Sequence, residues 1–195
     1  MKTARLIPVL LATLLAAPVF AQNATAEAQR DVNQQQRIEN GLKSGQLTTR
    51  EAAKLEREEA KIDRAEAQAM KDGRLNNAEK RRIARMQDRA SRDIYTEKHD
   101  AQTGNPDSAS SRRMQADVQR NVNQEQRIAD GLRDGSLTKR EAARLERGQA
   151  RVDRQEFRAG RDGHVGGFEQ RQVQRNENRQ SHRIQHERHD RQHRG

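Results

Sequence analysis

Residues 41–57 read GLKSGQLTTREAAKLER, and residues 131–147 read GLRDGSLTKREAARLER. The two stretches lie 90 positions apart, and the register holds without a gap to His99-Asp100 and His189-Asp190. Each reads as the end of one helix, a turn, and the start of the next. Gly45 or Gly135 supplies positive φ after a helix C-terminus. Thr48 with Glu51, and Thr138 with Glu141, form Thr-x-x-Glu capping boxes that satisfy the open amides of the following helix. The turn is therefore written twice.

Working outward, residues 22–29 read as a flexible start, and Val32, Ile38 and Leu42 lie along a first helix. A second helix runs from about Thr49 to about Met70, with Leu55, Ile62, Ala65 and Ala69 on one face. Asp72-Gly73-Arg74-Leu75-Asn76 repeats the turn, with Asn76 as cap and Glu79 three residues later. A third helix carries Ile83, Met86, Ala90 and Ile94 at helical spacing. Short turns should fold three such helices back as antiparallel neighbours. Residues 22–100 form a first helical repeat and 101–113 a polar linker. Residues 114–181 form the second repeat, and 182–195 a fraying, basic, His-rich tail. In the second copy the last stripe becomes Val173, Asn176, Gln180 and Ile184, so half of its apolar seam is gone. The expected fold is all-α: two tandem three-helix units of long amphipathic helices with short capped turns and a polar linker.

Composition narrows the class further. Charged residues make up 35% of the chain and aromatics 2%, with mean hydropathy −1.28. That is too little apolar material for each half to build a compact core, which predicts elongated hairpins or burial completed by self-association. Lys2 and Arg5, the apolar run from Leu6 to Phe20, and Val19-Phe20-Ala21 read as a secretory signal over residues 1–21, cleaved near Ala21. The chain has no cysteine, which removes disulfide, thiol and lipoprotein chemistry. A periplasmic or secreted protein with no transmembrane segment after cleavage is expected. Residues 22–107 hold 17 basic and 16 acidic side chains, whereas residues 108–195 hold 20 and 13. The positive charge thus sits in the second half.

The turns also fit a calcium-loop frame. Counting from Asp130, Asp134 falls at position 5, Gly135 at 6, Leu137 at 8 and Glu141 at 12. The other three frames keep Gly45, Gly73 and Gly163 with Glu51, Glu79 and Glu169. The pattern resembles degenerate EF-hand helix-loop-helix repeats, and the resemblance implies a calcium site at Asp130, Asp134 and Glu141. Position 3 is Leu42, Met70, Leu132 or Gly160, none of which offers a side-chain oxygen. The same letters read equally as capped helix-turn-helix.

Two further patterns carry chemistry. His182, His186, His189 and His193 are spaced four, three and four, which puts four imidazoles on one helical face. Imidazole pairs bind zinc, copper or nickel, and Glu187 and Asp190 could add oxygen ligands. Arg171, Arg175, Arg179 and Arg183 recur every four residues and suit an anionic envelope component. Nucleic acid is not expected, because a secreted protein rarely meets it and the chain has almost no aromatics for base stacking. Ser91 with His99-Asp100, and Ser181 with His189-Asp190, do not make triads, since adjacent helical residues point about 100° apart. Two functions remain in view. The first is a non-catalytic periplasmic binding protein handling divalent metal ions through the histidines. The second is an envelope interaction or chaperone-like protein gripping an anionic polymer or protein through its Arg-rich second repeat.

Overall fold

The computed structural model describes residues 19–190, with side chains described from Ala24 onward. The expected signal segment falls almost wholly outside this range, as does His193. Six helices make up the described chain: α1 Val19–Ser44, α2 Thr49–Ala69, α3 Asn77–Lys98, α4 Ala109–Asp134, α5 Lys139–Gly160 and α6 Gly167–Arg188. The fold is all-α, and α1–α3 and α4–α6 repeat the same order of helices and turns. None of the described helices is long and apolar enough to cross a membrane.

The repeated turn owes its shape to a leucine that folds back. Leu47 N–H donates to the Gly41 carbonyl at 2.9 Å, and Leu137 N–H to that of Gly131 at 2.9 Å. A Cβ on Gly41 or Gly131 would meet a leucine Cδ1 at 2.6 Å, so the leucine lies where a side chain would otherwise stand. Gly45 and Gly135 take φ of 74° and 83°, and both Thr-x-x-Glu capping boxes are formed. The later turn is closed in the same way by Asn76 and Glu79.

The copies do not bury their faces separately. Helix α2 packs chiefly on α5 and α1 on α4, while α3 and α6 lie against the outside of the resulting four-helix core. The partners run antiparallel. The Arg50 guanidinium at the start of α2 donates to the Asp162 carbonyl after α5 (2.9 Å), and Arg140 at the start of α5 donates to Asp72 after α2 (3.3 Å). One apolar cluster joins Ala69, Met70 and Leu75 of the first copy to Ile128, Leu132 and Leu137 of the second. Its mate joins Ile38, Leu42 and Leu47 to Met114, Ala159 and Val165. A pseudo-twofold therefore relates the halves, and each supplies the core that the other lacks.

Several boundaries differ from the sequence reading. Residues 22–29 belong to α1 rather than to a flexible start. The second repeat begins at Ala109, capped by Ser108, because Ser108 Oγ accepts the Ser111 amide at 3.1 Å. The linker is pinned as well: Gly104 N–H donates to the Gly45 carbonyl at 2.8 Å. Residues 182–188 are the last turns of α6 rather than a frayed tail, held down by Ile184, which is fully buried. The inner stripe of α3 and α6 runs through Gln87 and Glu177, not Met86 and Asn176.

Replacing Gly131 with alanine should test the folded-back leucine. The added methyl cannot fit without moving Leu137, and overpacking of this kind costs about 1–3 kcal/mol. Urea unfolding of Gly131→Ala should show a lower midpoint with an unchanged slope. An unchanged midpoint would mean that the turn has slack.

Candidate metal centre

On α2, Glu56, Glu59, Asp63 and Glu66 are spaced three, four and three, so they line one stripe of the helix. On α5 the corresponding stripe is Glu146, Gln149, Asp153 and Glu156. Such a stripe would ordinarily face water. Here the antiparallel α2–α5 pairing turns both stripes inward, where Asp31 of α1 and Glu125 of α4 join them. All nine carboxylates are at most 2% exposed. Among the described residues, no lysine, arginine or histidine is buried with them. The acids occupy the middle of the bundle, and the two apolar clusters close it at either end.

Two compact groups stand out within this belt. In one, Glu56, Asp153 and Glu156 each bring an oxygen to within 4.8 Å of the others. In the second, Asp63, Glu125 and Glu146 do the same. Glu56 and Glu146 are counterparts under the repeat, as are Asp63 and Asp153. The third members differ because the position of Glu125 in the second copy is Gln35 in the first. Gln35 Nε2 donates to Glu56 Oε2 at 3.0 Å, and Asn121 Nδ2 donates to Glu156 Oε2 at 2.7 Å. Other oxygens stay buried without a hydrogen-bond partner: Glu56 Oε1, Glu156 Oε1, Asp63 Oδ2, Glu125 Oε2 and both oxygens of Glu146. The amide oxygens of Gln35 and Asn121 are left in the same state. Native interiors rarely strand so many acceptors together.

The electrostatics follow from burial and crowding. Desolvation pushes Glu56 up to about 7 and Glu125 up to about 8. Desolvation, reinforced by neighbouring carboxylates, raises Glu59, Asp63, Glu66, Glu146, Asp153 and Glu156 well above the ordinary acid range. Asp31 is raised to about 7, with Arg30 the one basic neighbour opposing the shift. Nine like charges in a dry interior repel one another strongly. The belt must hold protons or cations. The three-oxygen spread suits a cation, since oxygens on opposite sides of calcium lie about 4.8 Å apart.

A second pair of clusters occupies the bundle ends, again related by the repeat: Glu51, Glu97 and Asp100, and Glu141, Glu187 and Asp190. Glu51 and Glu141 divide their work. One oxygen of each accepts the capping amide, Thr48 N–H at 2.8 Å or Thr138 N–H at 2.7 Å. The other oxygen is buried without a hydrogen-bond partner. Lys54 and Arg144 stand at the edges of these clusters, 3.9 Å from Glu97 and 4.0 Å from Glu187.

The residues singled out in the sequence have varied fates. The loop at 130–141 does not converge on one point. Asp130 pairs with Arg133 and Gln126, Asp134 with the Ser136 amide and Arg188, and Glu141 closes the capping box. His182 and His186 on α6, and His189 just after it, are exposed, and none enters any of the four acidic clusters. The His189 ring instead meets the Gln185 carbonyl at 2.8 Å. Arg171, Arg175, Arg179 and Arg183 are all exposed, as the regular spacing suggested. Ser181 Oγ accepts the Arg127 guanidinium at 2.8 Å, and Ser91 Oγ accepts Gln34 Nε2 at 3.1 Å, so both serines tie helices together. The nine-carboxylate belt escaped sequence reading, although its three-four-three spacing in both copies was a visible signal. No family model, curated protein or solved structure matches the chain.

The raised acids make a signed prediction for the cation-free protein. The folded state keeps protons that the unfolded chain gives up near the ordinary values of 3.8 and 4.5. Stability should therefore be greatest in mild acid and fall as pH rises from about 4.5 to about 8. Urea midpoints measured in chelator across that range should decline steadily. A flat or rising profile would contradict the buried-acid picture.

Proposed function

We propose that the protein is a non-catalytic binding protein for hard divalent cations, held by the buried carboxylates of α1, α2, α4 and α5. The carrying observation is the pair of trios, Glu56/Asp153/Glu156 and Asp63/Glu125/Glu146, with unpartnered buried oxygens and no buried basic side chain beside them. Every donor is oxygen, from carboxylates and from the Gln35 and Asn121 amides. Such a set favours calcium, magnesium or manganese over zinc, copper or nickel. This moves the metal reading from the histidine face to the bundle interior. A binding role fits a site closed by helices, where an ion can enter during local opening but a larger substrate cannot. With the secretory signal read from the sequence, the reading becomes a periplasmic or secreted protein that takes up divalent cations. The clusters at Glu51 and Glu141 serve in this view as more accessible accessory sites. The other reading, an envelope protein gripping an anionic partner, draws on the exposure of Arg171, Arg175, Arg179 and Arg183.

Calorimetric titration at neutral pH with calcium, magnesium, manganese and zinc tests the proposal. Glu146→Gln should weaken calcium or manganese binding by more than about tenfold. The same change should raise the stability of the cation-free protein, because it removes a charge that burial disfavours. That pairing separates loss of a ligand from loss of the fold. The triple variant H182Q/H186Q/H189Q should bind as the parent does. Zinc-only binding abolished by the histidine substitutions would return the metal site to α6.

A further inference from the structure

The pseudo-twofold provides an internal control for surface charge. Each copy has a groove between its second and third helices, walled by α2 and α3 in the first and by α5 and α6 in the second. The grooves correspond position by position: Lys61 to Arg151, Ile62 to Val152, Met86 to Asn176, Arg89 to Arg179. Their charge does not correspond. In the first groove, Glu58 and Asp88 stand among the basic side chains, and Asp93 lies close enough to Glu58 to raise its carboxyl after burial has done so. In the second, those three positions are Gly148, Asn178 and Arg183, and Gln68 has become Arg158. The groove at α5–α6 encloses about 380 Å³ and is lined by Arg151, Arg154, Arg158, Arg179 and Arg183, with no acid in its wall.

Loss of acids alone would leave a basic face like any other, but this one is crowded. Arg154 is half-buried, and its Nε is spent on the Ala150 carbonyl at 2.7 Å. Burial, with Arg64, Arg158 and Arg151 nearby, holds its guanidinium below the usual arginine range. Arg64 and Arg147 extend the same field along the neighbouring α2–α5 groove. Among the described residues, no ion pair joins Arg151, Arg154, Arg158, Arg179 or Arg183 to a carboxylate within 4.0 Å. Guanidinium groups crowded together with no carboxylate paired to them gain from an anion placed among them, and planar forked donors match the oxygens of phosphate. Asn176 and Gln155 add amide groups to the same wall.

We propose that the α5–α6 groove of the second copy is a binding site for phosphate-bearing anions, an activity separate from cation binding by the interior. The groove of the first copy has as many basic side chains, Lys61, Arg82, Arg85, Arg89 and Arg92, but keeps Glu58 and Asp88 among them, whereas the second has no acid in its wall. Phosphate of this kind is carried by soluble oligophosphates and by anionic lipid headgroups alike. The groove is open along one side, which admits either.

Titration of the full chain with tripolyphosphate, at low and at moderate salt, provides the test. The parent protein should bind, with affinity that falls steeply as salt rises. R154Q/R183Q should lose at least about tenfold in affinity and flatten the salt dependence. R82Q/R85Q, which touches the first groove, should bind as the parent does. Phosphatidylglycerol vesicles, run against phosphatidylcholine vesicles, identify the source. Retention by the anionic vesicles that fails in R154Q/R183Q supports the site with lipid-borne phosphate. Groove-dependent binding of tripolyphosphate alone supports it with the soluble form. Equal losses in the two double variants would reduce the effect to general basic charge and overturn the proposal, as would no binding by the parent. Cation uptake is carried by other residues, so its failure would leave this result unchanged.

Discussion

A carboxylate removed from water must find a proton, a cation or a hydrogen-bond donor, and the central belt of this bundle sets that demand nine times over. The rest of the architecture can be read as the frame that imposes it. The α2–α5 and α1–α4 pairs bring two acidic stripes face to face, and the apolar clusters at either end seal them from solvent. A hydrophobic layer in the same place would give a more stable protein. Keeping acids there, repeated in both copies, is costly for folding, and the proposed cation binding gives that cost a use. Under the proposed function, occupancy and stability are linked, since an ion that binds only the folded chain also holds it together.

Duplication explains how so polar a chain folds at all. Neither copy alone has enough apolar side chains for a core, but the pseudo-twofold lets the end of one copy complete the other. Volume is exchanged across it. Met70 and Ala24 of one cluster answer to Gly160 and Met114 of its mate, and a Cβ on Gly160 would meet Met114 Cε at 2.4 Å. Where the outer helices meet the core, Glu58 of α2 and Ala90 of α3 become Gly148 of α5 and Gln180 of α6, and a Cβ on Gly148 would fall 1.9 Å from Gln180 Oε1. Gln180 Nε2 then donates to the Leu145 carbonyl at 2.8 Å, so a polar residue replaces an apolar one without losing its place in the core. The copies have diverged in pairs of positions, which preserves the packing while the surface charge drifts apart.

Local signals made the helices and turns legible in the sequence. Gly45, Gly135 and the Thr-x-x-Glu boxes each act within a few residues, and the structure forms them as the letters suggest. Pairing between copies was not legible, because nothing local says that α2 will meet α5. That single omission hid the site. Glu56, Glu59, Asp63 and Glu66 on an isolated helix belong to its wet face, and only an antiparallel partner with the same stripe turns them into a core. His182, His186 and His189 have the more conspicuous spacing in the sequence, yet they remain on the surface. The arginine stripe was legible as exposed charge. The groove it shares with α5 depended on the fold.

Diffraction from crystals grown with manganese, recorded for its anomalous signal, addresses the central claim most directly. The account predicts anomalous peaks between α2 and α5, at two positions related by the pseudo-twofold and bounded by Glu56, Asp153 and Glu156 on one side and Asp63, Glu125 and Glu146 on the other. Peaks confined to the surface of α6, or a carboxylate belt without any, would contradict it.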